Sequence, residues 1–130
     1  DGIHGGQKDM EAGNVRALVG EEMMIGVSVQ TAEQAAAAQE AGADYLGVGA
    51  VFNTTTKLDA SEVSYETLKE ICETVSIPVV AIGGISKKNM QELSGSGADG
   101  AALVSAIFSA EDIEEECREL RRLAEQTFSK

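Results

Sequence analysis

The residues able to do chemistry in this chain collect behind short apolar runs, and most of them suit oxyanions. Gly83-Gly84 follows the run 78–82, and Ser105 closes the run 102–105. A Gly-Gly turn lets backbone approach an anion closely, and the free N–H groups of a helix start carry partial positive charge toward it. Thr54-Thr55-Thr56-Lys57 lies in the long loop 52–61, where three hydroxyls and one ammonium form an anion trap in a chain of net charge −12. Lysine acts there as a point charge on phosphate oxygens. Asp9 directly follows the front run 2–7; its carboxylate suits Mg²⁺, a hard cation that favours oxygen ligands and keeps several waters. Ser28 and Gln30 set polar groups at the end of the run 25–29. His4, the only histidine, reads first as a hydrogen-bonded core residue on a buried strand and second as a catalytic residue or substrate contact.

These positions need a scaffold, and the pattern around them supplies one. The runs 25–29, 45–49, 78–82 and 102–105 are almost continuously apolar, as expected of strands buried on both faces, with 2–7 a weaker first strand. Between them, 11–19, 32–41, 62–75, 88–93 and 112–128 carry helical composition. This alternation predicts a parallel α/β sheet. Thr31-Ala32-Glu33-Gln34 fits a capping box, Ser109-Ala110-Glu111-Asp112 is a looser version, and Ser86 is a candidate cap for the short helix after the Gly-Gly turn. Gly20, Gly42 and Gly97 stand where helices need a left-handed stop.

An internal repeat selects among parallel folds. Ala41-Gly42-Ala43-Asp44 recurs as Ser96-Gly97-Ala98-Asp99, 55 residues later, which is two units of about 27 residues, the size of one strand-helix unit of an eightfold barrel. The chain is therefore expected to be about five strand-helix units of a parallel (β/α) TIM-type barrel, residues 1–130 forming the C-terminal portion of one domain. In such a barrel the chemistry gathers at the strand C-termini, and phosphate sites are often built by the loops after the last two strands. Asp44 and Asp99 enter their strands from the opposite end and read as turn residues that bind backbone N–H groups.

Composition narrows the partners. Of 130 residues, 43% are hydrophobic and 25% charged, ordinary for one globular domain. With 22 acidic against 10 basic residues and 4% aromatics, the chain has no electrostatic footprint for nucleic acid or an anionic membrane. The acidic stretches read as solvated helix faces. No apolar run approaches the ~18 residues of a membrane span. Cys72 and Cys117 lie 45 residues apart without metal-ligand spacing and read as reduced thiols of a cytoplasmic protein.

The segments DGIHGGQKDM (1–10), IGVSVQT (25–31), AGADYLGVGAVFNTTTK (41–57), IPVVAIGGIS (77–86) and GADGAALVSAIF (97–108), in this order, resemble the thiamine-phosphate synthase family along the whole chain. The resemblance implies a transferase that joins hydroxymethylpyrimidine pyrophosphate to thiazole phosphate, releasing pyrophosphate. It implies Asp9 as one Mg²⁺ ligand, Ser28 beside the reacting carbon of the pyrimidine, and Thr54 and Thr56 on the thiazole phosphate side. Lys57 would hold the pyrophosphate, and Gly84, Val104 and Ser105 would cradle the thiazole phosphate. The family's Gln-x-Arg-x-Lys strand end and Asn-Asp pair have no counterpart here, so this chain alone is expected to be inactive, and Gly5 and Asn53 replace a larger apolar residue and a proline. A thiazole tautomerase is the nearest alternative, but it carries histidine at the position of Gln30 and lacks the Thr-x-Thr-Lys loop; a non-catalytic phosphate-binding remnant is the second. The chain begins without Met, inside a turn entering a strand, which suggests a fragment. Its open sheet edges are then expected to be covered by about three further units of the same barrel or by a second copy.

Overall fold

The computed structural model describes residues 1–52 and 62–129. Five strands, β1 (Gly2–Gly5), β2 (Met24–Val29), β3 (Tyr45–Val48), β4 (Val79–Ile82) and β5 (Gly100–Ala102), alternate with helices α1 (Ala12–Val19), α2 (Ala32–Glu40), α3 (Tyr65–Thr74), α4 (Ser105–Phe108) and α5 (Ile113–Thr127). A 3₁₀ turn, Met90–Leu93, stands between β4 and β5. All strands are parallel and their spatial order is their chain order. A sheet wound in one direction belongs to a barrel; a doubly wound sheet would reverse its order partway. Among the described residues, β1 and β5 do not meet, so the barrel is open.

The strand period divides the sheet into two faces. Val27, Leu46 and Val79 stand in one register row, and Val29, Val48 and Ala81 in another. Both rows are buried in one core with Ala35 and Ala38 of α2, Leu68 and Ile71 of α3, and Leu120 of α5. Leu46, Val48, Leu68 and Ile71 are fully buried, so truncating any of them would cost about 2–5 kcal/mol. The opposite face, which lines the inside of a barrel, carries His4, Gly26 and Tyr45 in one row and Ser28, Gly47, Val80 and Gly100 in the next. The strands are thus apolar toward the helices, whereas the interior face is mixed, small or polar at Gly26, Ser28 and Gly47 but apolar at Val80 and Ile82. With His4 and Ile82 exposed there, the burial on both faces that the apolar runs suggested is met on the helix side alone.

Helix starts follow the chemistry of their caps. Thr31 Oγ1 accepts from the Gln34 N–H at 3.1 Å, while Gln34 Oε1 reaches back to the Gln30 N–H at 2.8 Å, a capping box displaced by one residue. Ser64 caps α3 through the Thr67 N–H at 3.1 Å. At α5 the cap is Asp112, which accepts from the Glu115 N–H at 3.1 Å. Ser109 does not start that helix; it ends α4, a four-residue helix with no apolar period to announce it. Ser86 caps no α-helix either, because its hydroxyl accepts from the Lys88 N–H at 3.2 Å and only a 3₁₀ turn follows. Gly20, Gly42 and Gly97 all adopt positive φ, 83°, 103° and 93°, the left-handed stops that glycine permits.

The two repeat aspartates do the same work at the strand N-termini. Asp44 Oδ2 accepts from the Ile25 N–H at 2.8 Å while the Asp44 N–H donates to the Ile25 carbonyl at 2.7 Å. Asp99 repeats this on Val79, at 2.9 and 2.8 Å. Each aspartate so clips its own strand to the start of the preceding one. Arg16 reinforces the first clip: its guanidinium contacts Asp44 Oδ2 at 2.6 Å and donates to the carbonyls of Gly20, Met23 and Gly42 at 2.9, 2.6 and 2.7 Å. The Ile25 amide and the Arg16 guanidinium hold the Asp44 carboxyl below its usual range.

Candidate active site

The C-terminal ends of all five strands enclose one hollow of about 510 Å³, whose lining includes Asp9, Ser28, Gly84, Val104 and Ser105. Its size suits a ligand of ordinary metabolite dimensions. A second hollow of about 370 Å³ lies between α1, α2 and the helix-facing side of β1 and β2 and shares only Gly6, Gln7 and Asp9 with the first. Its remaining lining is mostly apolar, and Ser28, Gly84, Val104 and Ser105 line the first alone.

Each lining residue arrives there for a local reason. At the end of β1 the chain turns through Gly6 to Asp9. The Asp9 N–H donates to the Gly6 carbonyl at 3.1 Å, and Asp9 Oδ2 accepts from the Gly6 N–H at 2.6 Å. One carboxylate oxygen is therefore tied to the backbone, leaving Oδ1 to a ligand. Gln7 Nε2 donates to the Ser28 carbonyl at 2.8 Å and ties this turn to β2. Gln30 Nε2 donates to the Gly49 carbonyl at 3.2 Å, tying β2 to β3. Gly83 and Gly84 both have positive φ, 102° and 65°, and a Cβ on Gly83 would lie 2.6 Å from the Ala50 Cα. Only glycine lets these loops approach so closely.

The Gly84 turn is held by a residue that sequence reasoning passed over. Asn89 Nδ2 donates to the Gly84 carbonyl at 2.9 Å, and Asn89 Oδ1 accepts from the Ser86 N–H at 2.8 Å. An asparagine a few residues past a Gly-Gly turn is the available signal, since its amide imitates a turn of backbone. Lys8 was also passed over, although it is the one cationic side chain among the described residues lining the hollow. Lys87, close in sequence to the Gly84 turn, faces away: its ammonium pairs with Glu116 and Glu119 at 3.2 and 3.6 Å, which raise its pKa.

Ser105 opens α4 and Val104 precedes it. The Ile107 and Phe108 N–H groups donate to the Val104 carbonyl at 3.1 and 3.0 Å, so the Ser105 and Ala106 amides ahead of them are the ones without an intrahelical acceptor. Below Ser28, on the barrel-interior face, His4 Nε2 lies 2.8 Å from Ser28 Oγ and His4 Nδ1 lies 2.9 Å from the Tyr45 hydroxyl. His4 is hydrogen-bonded through both nitrogens, as the sequence suggested, but it stands on the exposed face and not in the core. Thr54, Thr56 and Lys57 lie outside the described residues. A divalent cation finds only part of a site here: Asp9 offers one free carboxylate oxygen, and no cluster of three His, Cys, Asp or Glu residues occurs among the described residues. Mg²⁺ is commonly held by one or two carboxylates with water, so Asp9 fits as one ligand.

Parallel strands in chain order, helices on one face and a hollow at the strand C-termini define a TIM-type α/β protein with its candidate site where that class keeps it. The comparisons with known proteins name the family. The thiamine monophosphate synthase family model matches residues 1–107, and the chain belongs to that family. A thiamine-phosphate synthase of Clostridium tetani is 52% identical over 120 residues, covering 92% of this chain and 57% of that protein. One of Methanobrevibacter smithii is 50% identical over 112 residues, covering 86% and 54%. The solved structure of a thiamine phosphate pyrophosphorylase from Pyrococcus furiosus superposes with a TM-score of 0.90 at 42% identity, covering 99% of this chain and 61% of that one. The chain therefore spans little more than half the length of the relatives it matches.

Proposed function

We propose that this chain forms the thiazole-phosphate and pyrophosphate-leaving side of a thiamine-phosphate synthase, which condenses hydroxymethylpyrimidine pyrophosphate with thiazole phosphate. The observation that carries the reading is the convergence of Asp9, Ser28, Gly84, Val104 and Ser105 on one hollow of about 510 Å³. Gly84 and the Val104-Ser105 start offer backbone amides and a hydroxyl to a phosphate. Ser28 stands across the hollow, suited to contact the pyrimidine. Lys57, with Thr54 and Thr56, is assigned to the two anionic groups on the strength of the family motif. Asp9 would be one ligand of Mg²⁺, which supplies neutralising charge to the pyrophosphate. The residues here orient two substrates and stabilise a departing anion; the reaction asks little acid–base chemistry of them.

Its substrates are small phosphorylated molecules, and a cytoplasmic location agrees with that chemistry. The test is direct. The protein expressed from its complete gene, given both substrates and Mg²⁺, should form thiamine phosphate. Lys57→Ala should lower kcat by about 10²-fold or more, the scale of losing a charge placed on a developing anion. Wild-type protein that binds neither substrate would overturn the assignment.

A further inference from the structure

We infer that Tyr45 and His4 form a positioning relay that turns the Ser28 hydroxyl into a hydrogen-bond donor aimed at the hollow. The three residues are set by register: His4 of β1 and Tyr45 of β3 occupy the same row on either side of Gly26 in β2, and Ser28 is the next inward residue of β2. Tyr45 Oη lies 2.9 Å from His4 Nδ1, and His4 Nε2 lies 2.8 Å from Ser28 Oγ. Two glycines leave the room. A Cβ on Gly26 would stand 2.0 Å from Tyr45 Cζ, and one on Gly47 would stand 3.4 Å from His4 Cε1 and 4.0 Å from Ser28 Oγ.

The direction of the protons follows from the groups. A phenol donates a hydrogen bond more readily than it accepts one, and a neutral imidazole has one donor and one acceptor nitrogen. Tyr45 therefore donates to Nδ1, which leaves the ring proton on Nε2, and Nε2–H donates to Ser28 Oγ. The serine's own proton stays free for an acceptor atom of a bound substrate. With the opposite tautomer, the Ser28 proton would be consumed by Nε2. His4 is exposed and Ser28 and Tyr45 are only half-buried, so these bonds add little to folding. Their effect is on orientation. Neither His4 nor Tyr45 lines the hollow, so both act through Ser28.

The inference deepens the synthase reading through Ser28, and its first test stands apart from activity. In the protein from its complete gene, the ¹⁵N imidazole signals of His4, identified by their loss in His4→Leu, should show the proton on Nε2 when the ring is neutral. Tyr45→Phe, which keeps the ring over Gly26, should mix the two tautomers. A proton on Nδ1, or a spectrum indifferent to Tyr45→Phe, overturns the relay. In synthase assays Tyr45→Phe should lower kcat/KM by about 3–10-fold, the loss of one neutral hydrogen bond. His4→Leu should cost activity in the native protein and nothing further in Ser28→Ala, because residues acting through one group are not additive. An equal cost in both backgrounds overturns the relay. Absence of any thiamine phosphate formation would count against the synthase reading, and the tautomer would still decide the relay.

Discussion

Replacing Asn89 by Ala removes both hydrogen bonds that brace the Gly84 turn, the 2.9 Å bond to the Gly84 carbonyl and the 2.8 Å bond from the Ser86 N–H. Both are partly buried, so each loss should cost about 0.5–1.5 kcal/mol, or about 1–3 kcal/mol together. Urea unfolding of the complete protein at fixed pH reads that number. The same change should weaken thiazole phosphate binding, because Gly84 is then free to leave the geometry the proposed cradle needs. A loss of preorganised orientation on this scale corresponds to about 5–150-fold in KM. Asn89→Asp separates the two bonds: it keeps an acceptor for Ser86 but sets a carboxylate oxygen against the Gly84 carbonyl. It should therefore bind phosphate at least as poorly as Asn89→Ala while the Ser86 contact survives. An Asn89→Ala protein with unchanged stability and unchanged KM would refute the idea that this side chain holds the turn.

Three further outcomes test the scaffold. Gly97→Ala should destabilise by about 1 kcal/mol more than Gly42→Ala. Both glycines have positive φ, but a Cβ at 97 would lie 2.9 Å from the Cys72 Cβ, closer than carbon atoms pack, whereas one at 42 would stand 3.5 Å from Arg16 Nε, an ordinary van der Waals distance. Asp44→Asn should destabilise at neutral pH and lose that effect in acid: the folded Asp44 carboxyl is held below its ordinary value of 3.8, so its contribution is present above that value and disappears as pH falls through the lower folded value. Urea midpoints along an acid series give the comparison. Finally, the unpaired β1 and β5 edges predict that the 130-residue chain expressed alone associates or stays poorly folded; a well-folded monomer on size-exclusion chromatography would contradict this.

The architecture was legible because nearly continuous short apolar runs alternate with longer helical stretches and the Asp44 and Asp99 repeats mark where two of the strands begin. The boundary of β5 was not. The run 102–105 is more β-branched than Gly100–Ala102, yet the Asp99 clip and the pairing of Ile82 with Ala102 fix the strand earlier in the chain. Ser105 therefore opens a helix instead of ending a strand. Asp9, Ser28, Gly84, Val104 and Ser105 were found from their positions behind strands and from the family pattern, and the hollow gathers all five. What escaped was cooperation across distance. Tyr45 and His4 are 41 residues apart and meet only because the β2 residue between them in the register row is Gly26, and no local pattern encodes such a meeting. Asn89 escaped for the opposite reason, since its partners are close in sequence but its side chain imitates backbone.

The paired aspartate clips at the strand N-termini have a consequence for how such a protein can change. They set strand spacing through paired backbone and carboxylate contacts to the adjoining strand, at the end opposite the hollow, and they recur every second unit. Loops on the substrate side could then be exchanged, lengthened or recombined between related barrels without disturbing alignment, provided the crossover keeps a clip and its receiving strand together. A two-unit cassette cut just before Gly42 and just before Gly97 would carry the Asp44 carboxylate away from Ile25, so its grafting should succeed only into hosts whose preceding strand offers an equivalent amide.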